Sequence, residues 1–402
     1  MNHGTAQKIG PMEAARALRG SKWTVFLDSA MPGNAGISLL GAEPDLVLHG
    51  DDWDRLDSEL EVRRRSGSGG PDGAAVGCVN FDGTFHFGFY DRLHLYFHGQ
   101  ERWKNPPAAF LSAPGDKQES LAFRPRVSQD HFLGMVAQAK EYIAAGDIYQ
   151  VCLSHAFDAP AGPDTGWRFF ERLRDFSPAP YSAYLDLGGF EIASASPECF
   201  LRMSGREIST RPIKGTRPRK RNPKHDQRSA HDLITSPKEI AELIMITDLE
   251  RNDLGRVCEF GSVTVPDLLR LESYQQVFHL VSTVRGRLRP EVSHVRALRE
   301  CFPGGSISGA PKRRALEIIR ELEPSPRGLY TGAIGYFGYN RESQFSIAIR
   351  TAIFAGGSAS FHVGAGIVAD SIPEMEWQET LDKAAGLLIA ASHTTSLRKS
   401  DQ

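Results

Sequence analysis

Gly332-Ala-Ile-Gly-Tyr-Phe-Gly-Tyr339, Phe345-Ser-Ile-Ala-Ile-Arg350 running on to Phe354, and Ser358-Ala-Ser-Phe-His-Val363 follow one another with only short polar or glycine breaks between them. β-Branched and aromatic residues fill each run, which predicts strands over 332–339, 345–354 and 358–363. The next periodic stretch, 374–391, predicts a helix. Further back, 129–146 has helical spacing (Phe132, Met135, Val136, Ala139, Tyr142, Ile143) and ends on a glycine. Strands are predicted at 149–157, 181–187, 190–195 and 199–203, with two or three more between Val76 and Phe97. Ser236 ahead of Pro237 marks the start of a helix to 252, and another helix runs over 311–322. Hairpin-like strand pairs mixed irregularly with helices predict an α+β fold rather than a doubly wound parallel sheet.

The 402-residue length suggests two or three domains or one composite core. Apolar content of 41% and charged content of 24% are those of a globular protein, and a net charge of −2 gives no bulk attraction to nucleic acid or to anionic membrane. The first ten residues lack the apolar core of a secretory signal, and no stretch has the roughly 20 apolar residues of a membrane span. Five scattered cysteines show no zinc or redox spacing, so reduced thiols and a cytoplasmic location are expected. Arg63-Arg64-Arg65 with the Ser-Gly-rich 66–71 reads as a loop. The proline-rich 102–128 reads as a connection, dividing an N-terminal portion (1–124, mostly strands) from a main portion (125–392) and a polar tail (393–402).

Several residues carry candidate chemistry. Lys214 stands in Arg211-Pro-Ile-Lys-Gly-Thr216, where Pro and Gly predict a stiff turn that fixes its amine; a lysine held in a partly dry pocket loses proton affinity and becomes a nucleophile. Glu239 and Glu242 share one helix face, and Glu376 and Glu379 repeat that spacing on the last helix. One such pair alone is usually a solvated face, but two facing pairs would gather hard oxygens suited to Mg²⁺. Arg350 at a strand end suits a carboxylate or a surface ion pair. Gly364-Ala365-Gly366 suits either a tight turn or close approach of backbone amides to an anion. His279, in an apolar strand, reads by itself as a core histidine. The basic run 217–228 has no interleaved aromatics and reads as a solvated loop, not a nucleic-acid surface.

Ser194-Ala-Ser-Pro-Glu198, Pro212-Ile-Lys-Gly-Thr216, Asp248-Leu-Glu-Arg-Asn-Asp-Leu-Gly-Arg256 and His279-Leu-Val-Ser282 recur in that order. So do Phe302-Pro-Gly-Gly-Ser-Ile-Ser-Gly-Ala-Pro-Lys312, Gly328-Leu-Tyr-Thr-Gly332, Gly364-Ala-Gly-Ile-Val-Ala-Asp370 and Glu376-x-x-Glu-Thr380. Together they resemble the signature blocks of the chorismate-utilising enzymes across residues 125–392. The resemblance implies two antiparallel sheets packed together, flanked by helices, with the site in a cleft between them. Lys214 stands where anthranilate synthases carry alanine, and Gln150 where isochorismate and salicylate synthases carry a lysine base. This pattern resembles the aminodeoxychorismate synthase component I branch, with anthranilate synthase component I as the alternative. The branch implies amination of chorismate at C4, using ammonia from a separate glutamine amidotransferase subunit, to give 4-amino-4-deoxychorismate for 4-aminobenzoate and folate. It further implies Lys214 as nucleophile, Glu198 as general acid, and Mg²⁺ on Glu242 and Glu379 with Glu239 and Glu376 close by. Arg350 and Tyr330 would hold the enolpyruvyl carboxylate, the amides of Gly364, Ala365 and Gly366 would add donors, and His279, Ser306 and Gln150 would line the ring. Tryptophan-binding relatives carry Leu-Leu-Glu-Ser where this chain has Phe26-Leu27-Asp28-Ser29, so no tryptophan site is expected. Neither is a nucleic-acid or membrane partner.

Overall fold

The computed structural model describes residues 9–29, 36–67, 69–107, 120–274 and 277–392. The readings of the first eight residues, of part of the proline-rich connection and of the polar tail lie outside them. Two sheets, antiparallel throughout, form the frame. The first runs in the order Gly309–Ala310, Gln150–Pro160, Ser358–Ile367, Thr351–Ala355, Phe190–Ser196, Tyr181–Asp186, Val25–Asp28, Ile37–Gly41, His94–Phe97, Arg102–Lys104. The second runs Ile213–Pro218, Val277–Arg287, Glu207–Arg211, Cys199–Ser204, Glu342–Ile347, Ala333–Gly338, Ala74–Val79, Phe85–Tyr90, Leu46–Gly50. Segments before residue 125 thus extend both sheets.

Alternation along each strand separates its two faces. Val25, Leu39, Leu185 and Ile192 of the first sheet meet Val76, Cys78, Tyr90 and Ile334 of the second in a core between the sheets. The outer face of the first sheet is covered by helices Thr165–Phe176 and Pro373–Ala391, through Trp167, Phe170, Leu173, Ala384 and Leu387. Helices Trp53–Val62 and His294–Cys301 cover the second sheet over Phe85, Phe87, Met203 and Phe337. The fold is therefore α+β, two packed antiparallel sheets between helical layers.

Several expectations change in detail. The run 345–354 is not one strand: Glu342–Ile347 belongs to the second sheet and Thr351–Ala355 to the first, with the chain crossing at 348–350. Arg350 sits at that crossing with φ of 51°, a left-handed conformation that interrupts any strand. Lys214 lies in the strand Ile213–Pro218, not in a turn, and the turn-like glycine makes a bulge instead. Gly215 has φ of 75°, and the register against the neighbouring strand shifts between Lys214 and Thr216. Gly364, Ala365 and Gly366 pair in register with Ser154, Leu153 and Cys152, so they are strand and not turn. The basic run 217–228 is half helix, since Asn222 caps Pro223–Ile234 by accepting from the amides of Lys224 and His225. Only Leu233 of that helix is buried, too little apolar periodicity to betray it. The helix 237–255 starts as expected, with Ser236 Oγ accepting from the Glu239 amide.

Two predictions follow from these packing details. A Cβ at Gly215 would meet Leu233 Cδ1 at 2.6 Å and Glu239 Oε2 at 2.9 Å, on a backbone that already disfavours alanine. Gly215→Ala should therefore destabilise the protein by about 1–3 kcal/mol, read as a lowered denaturant midpoint. His155 is buried between the Gln150–Pro160 strand and the last helix, stacked on Trp377 with Nε2 at 2.9 Å from Thr380 Oγ1. Burial lowers it from 6.5 to about 4, so the unfolded chain takes the proton first on acidification. Stability is complete above pH ~6.5 and falls as pH drops toward 4, by about 3 kcal/mol from this group. Melting curves of His155→Gln should show a correspondingly shallower acid slope.

Candidate active site

Where the sheets part, a cavity of about 540 Å³ opens between their ends and the helices at 237–255 and 373–391. Its lining includes Lys214, Glu198, His279, Ser306, Tyr330, Arg350, Gly364, Ala365, Gly366, Glu239, Glu242 and Glu379. Residues scattered over more than 180 positions of sequence thus share one wall. Gln150 and Glu376 stand behind the wall, 0% and 2% exposed.

Each side chain is aimed by its backbone. Glu198 and Arg350 sit at the two points where the chain leaves one sheet for the other. These crossings are tied together: Ala195 N donates to Arg350 O at 3.0 Å, and Ile347 N to Glu198 O at 3.1 Å. His279 projects from the Val277–Arg287 strand, with Nδ1 2.9 Å from Thr216 Oγ1. Ser306 rides on the 3₁₀ turn Gly305–Ile307, which is pinned where the Gly305 amide donates to Glu250 Oε1 at 2.9 Å. Tyr330 stacks on His362 with ring centroids 5.3 Å apart. A Cβ on Gly366 would lie 2.4 Å from Gln150 Nε2, so the missing side chain makes room for that amide, and Lys214 Nζ lies 3.7 Å from the same point. Neither polar atom of the Gln150 amide has a partner.

Charge organises the cavity. Lys214 Nζ lies 3.6 Å from Glu242, Arg217 3.3 Å from Glu239, Lys238 3.6 Å from Glu376 and Lys383 2.8 Å from Glu379. Arg350 has no acidic partner among the described residues, and burial pulls its affinity for a proton below the ordinary arginine value. Burial raises the Glu198 carboxyl above the ordinary glutamate value, against its hydrogen bonds with Ser306 and the Ile213 amide and the nearby Lys214. Glu242 is likewise raised by burial, with Lys214 and Lys238 opposing. Burial would also raise Glu379, but Lys383, with Lys238 and Lys214, outweighs it and the net shift is downward. His279 is lowered by burial, then by Arg350, to about 4, so it is a neutral ring at pH 7.

Lys214 departs from expectation. Burial works against its charge, yet the Cys152 thiol, Glu242, Glu198 and Glu379 outweigh burial and hold the ammonium above the ordinary lysine value. The sequence suggested a partly dry pocket; the carboxylates that surround the amine reverse the direction.

The four glutamates were read as a magnesium set. In this structure each is engaged by a cation, and among the described residues no three acidic, histidine or cysteine groups form a ready-made metal cage. The donor set nevertheless suits a hard divalent ion: it is all carboxylate oxygen, and Glu376 Oε2 is buried without a partner while Oε1 accepts from Ser371 Oγ.

Among the lining residues that sequence reading missed are Cys152, Arg217, Lys238, His362 and Lys383. Lys383 bridges Glu379 and the Gly364 carbonyl, each at 2.8 Å. Its spacing four residues after Glu379 was a usable signal; the other four had none. All five cysteines are free thiols, four of them buried. Beside Phe26–Ser29 lies a second cavity of about 850 Å³ that shares only Pro197 and Ile213 with the first. At its edge Asp28 is 2% exposed, its oxygens held by Ser38 Oγ and Arg174 Nε at 2.6 Å each. No described helix is long and apolar enough to cross a membrane.

The comparisons agree with this geometry. The family model of chorismate binding enzymes matches residues 72–388. Anthranilate synthase component 1 of Methanothermobacter marburgensis is 36% identical over 94% of this chain and 92% of its own length. Aminodeoxychorismate synthase component 1 of Bacillus subtilis is 42% identical over 71% of this chain and 60% of its own. For anthranilate synthase component 1 of Bacillus caldotenax the figures are 44%, 71% and 57%. The matched region thus spans little more than half the length of several curated relatives. The crystal structure of anthranilate synthase component I from Streptococcus pneumoniae superposes with a TM-score of 0.79 at 30% identity, covering 95% of this chain and 98% of that one. With its sheets, its cleft and its ordered signature blocks, this chain belongs to the chorismate-binding enzyme family.

Proposed function

We propose that the protein aminates chorismate at C4, with ammonia delivered by a separate glutamine amidotransferase subunit, giving 4-amino-4-deoxychorismate on a route to 4-aminobenzoate and folate. The observation that carries this reading is the amine of Lys214, which lines the same cavity as Glu198 and stands 3.6 Å from Glu242. Arg350, free of any described acidic partner, is a ready fork for a carboxylate, with Tyr330 in the same lining as a neutral donor. His279 and Ser306 line the ring position, and the Gly364–Gly366 strand allows close approach of backbone to ligand. Gln150, with both amide atoms unpartnered, has donor and acceptor to spare near Lys214.

Lys214, once deprotonated, attacks C2; the ring double bonds shift and the C4–oxygen bond breaks. Glu198, whose hold on a proton burial strengthens, gives its proton to the departing hydroxyl, which leaves as water. Ammonia then bonds to C4, the electrons shift back, and the bond from C2 to Lys214 breaks. Glu242 and Glu379 would hold Mg²⁺, with Glu239 and Glu376 supporting. When bound, that ion supplies a positive anchor for the ring carboxylate.

A second reading, anthranilate synthase component I, is favoured by the names of the relatives matching nearly the whole chain. It would aminate C2 and release pyruvate.

Incubation with chorismate, Mg²⁺ and ammonium separates the two. Chromatography should show 4-amino-4-deoxychorismate; anthranilate fluorescence with no lyase added would transfer the protein to the second reading. Without ammonia, intact-mass spectrometry should find a chorismate-derived adduct on Lys214, absent from Lys214→Ala. Amination by that variant should fall by at least ~10²-fold. Glu198→Gln should lose ~10²–10⁴ in kcat with the adduct slowed as well; unchanged turnover would remove Glu198 from the acid role.

A further inference from the structure

Arg327 lies outside the cavity lining, and its side chain is 2% exposed. All five of its guanidinium N–H groups are nevertheless used. Nε donates to Glu323 Oε2 at 2.9 Å and Nη2 to Glu323 Oε1 at 2.7 Å, a bidentate pair buried on both sides. The second Nη2 hydrogen goes to Cys152 O at 2.7 Å, and Nη1 donates to Ile307 O and to Thr331 Oγ1, each at 3.1 Å. Glu323 Oε1 also accepts from the Ser154 amide at 2.8 Å and from Ser154 Oγ at 2.9 Å.

These contacts reach the separate backbone segments that form one side of the cavity. Cys152 and Ser154 belong to the strand paired with Gly364 and Gly366. Ile307 follows Ser306 on its turn. Thr331 follows Tyr330 and is held at φ of 60°, costly for a β-branched residue. Its amide donates to Ala348 O at 2.8 Å, two residues before Arg350. The guanidinium itself lies 5.7 Å from the Tyr330 ring centroid. Among the described residues, no other side chain is hydrogen-bonded to all of these segments.

We infer that Arg327, locked by Glu323, is a positioning residue that sets the spacing of Tyr330, Ser306 and the Cys152–Gly366 strand pair for substrate without touching it. Lysine keeps the charge but offers a point donor in place of a planar fork, so it can satisfy only part of this pattern. The inference rests on the cavity being the chorismate pocket; it does not depend on which carbon receives nitrogen.

Calorimetric titration with chorismate and Mg²⁺, together with steady-state kinetics, provides the test. Arg327→Lys should weaken chorismate binding and raise KM about tenfold or more, while kcat at saturation changes less than about threefold. Glu323→Gln, which keeps the shape and drops one charge, should move the same parameters in the same direction by about threefold. It carries the test alone if the lysine variant does not fold. A lowered melting temperature with unchanged chorismate affinity and KM would reduce the pair to a structural role and overturn the inference. Failure of the unsubstituted protein to bind chorismate would instead overturn the reading on which it rests.

Discussion

Two neighbouring stretches of chain leave one sheet and enter the other side by side, and the site depends on that double crossing. Phe190–Ser196 pairs with Thr351–Ala355 in the first sheet, and their continuations Cys199–Ser204 and Glu342–Ile347 pair in the second. Because antiparallel partners share a register, neither can change sheets without the other. The short links, Pro197–Glu198 and Ala348–Arg350, are held together where the sheets diverge. Both therefore carry side chains that cannot join either ladder and must face the gap. The left-handed backbone at Arg350 is a local cost, tolerated because ordered ladders on both sides fix its ends.

This geometry accounts for the electrostatics as well. A cleft between two apolar sheets is poorly hydrated, so charge that enters it must be compensated by neighbours. Four carboxylates meet that demand with Lys214, Arg217, Lys238 and Lys383. Glu198 meets it by holding its proton more tightly, and His279 by giving its proton up. Arg350 can do neither: its guanidinium keeps its charge and finds no acid among the described residues, which leaves the pocket poised for an anion.

Local sequence made most elements legible. Caps at Ser236, the period of Phe132 to Ile143 and the aromatic alternation from 333 to 363 each report a face that must be buried, and the structure buries those faces. The crossing inside 345–354 was not legible, since Ser-Ile-Ala-Ile-Arg-Thr has the same β-propensity on either side of the break. What interrupts it is the tertiary demand that neighbouring strands cross together. The bulge at Gly215 was invisible for a related reason, because a glycine after lysine serves a turn or a bulge equally well. Of the candidate site, the ordered blocks named the lining well. The charge state of Lys214 was beyond them: proton affinity depends on which acids face the amine, and Glu242 and Glu379 come from helices far away in sequence.

Charge in and directly behind the cavity is nearly balanced. Lys214, Arg217, Lys238, Lys383 and Arg350 face Glu198, Glu239, Glu242, Glu376, Glu379 and Asp382, so the empty site is close to neutral, and evenly balanced where Glu198 is protonated. A ligand carrying two carboxylates would leave this desolvated space strongly negative, and Arg350 alone offers an unpaired cation to offset it. Two further positive charges arriving with the ligand would restore the balance. They would have to be taken up where carboxylate oxygen is available, and among these six acids Glu376 Oε2 is the oxygen that is buried with no partner. The charge balance thus favours entry of the dianion together with a divalent cation, which would make metal and chorismate affinities rise and fall as one quantity.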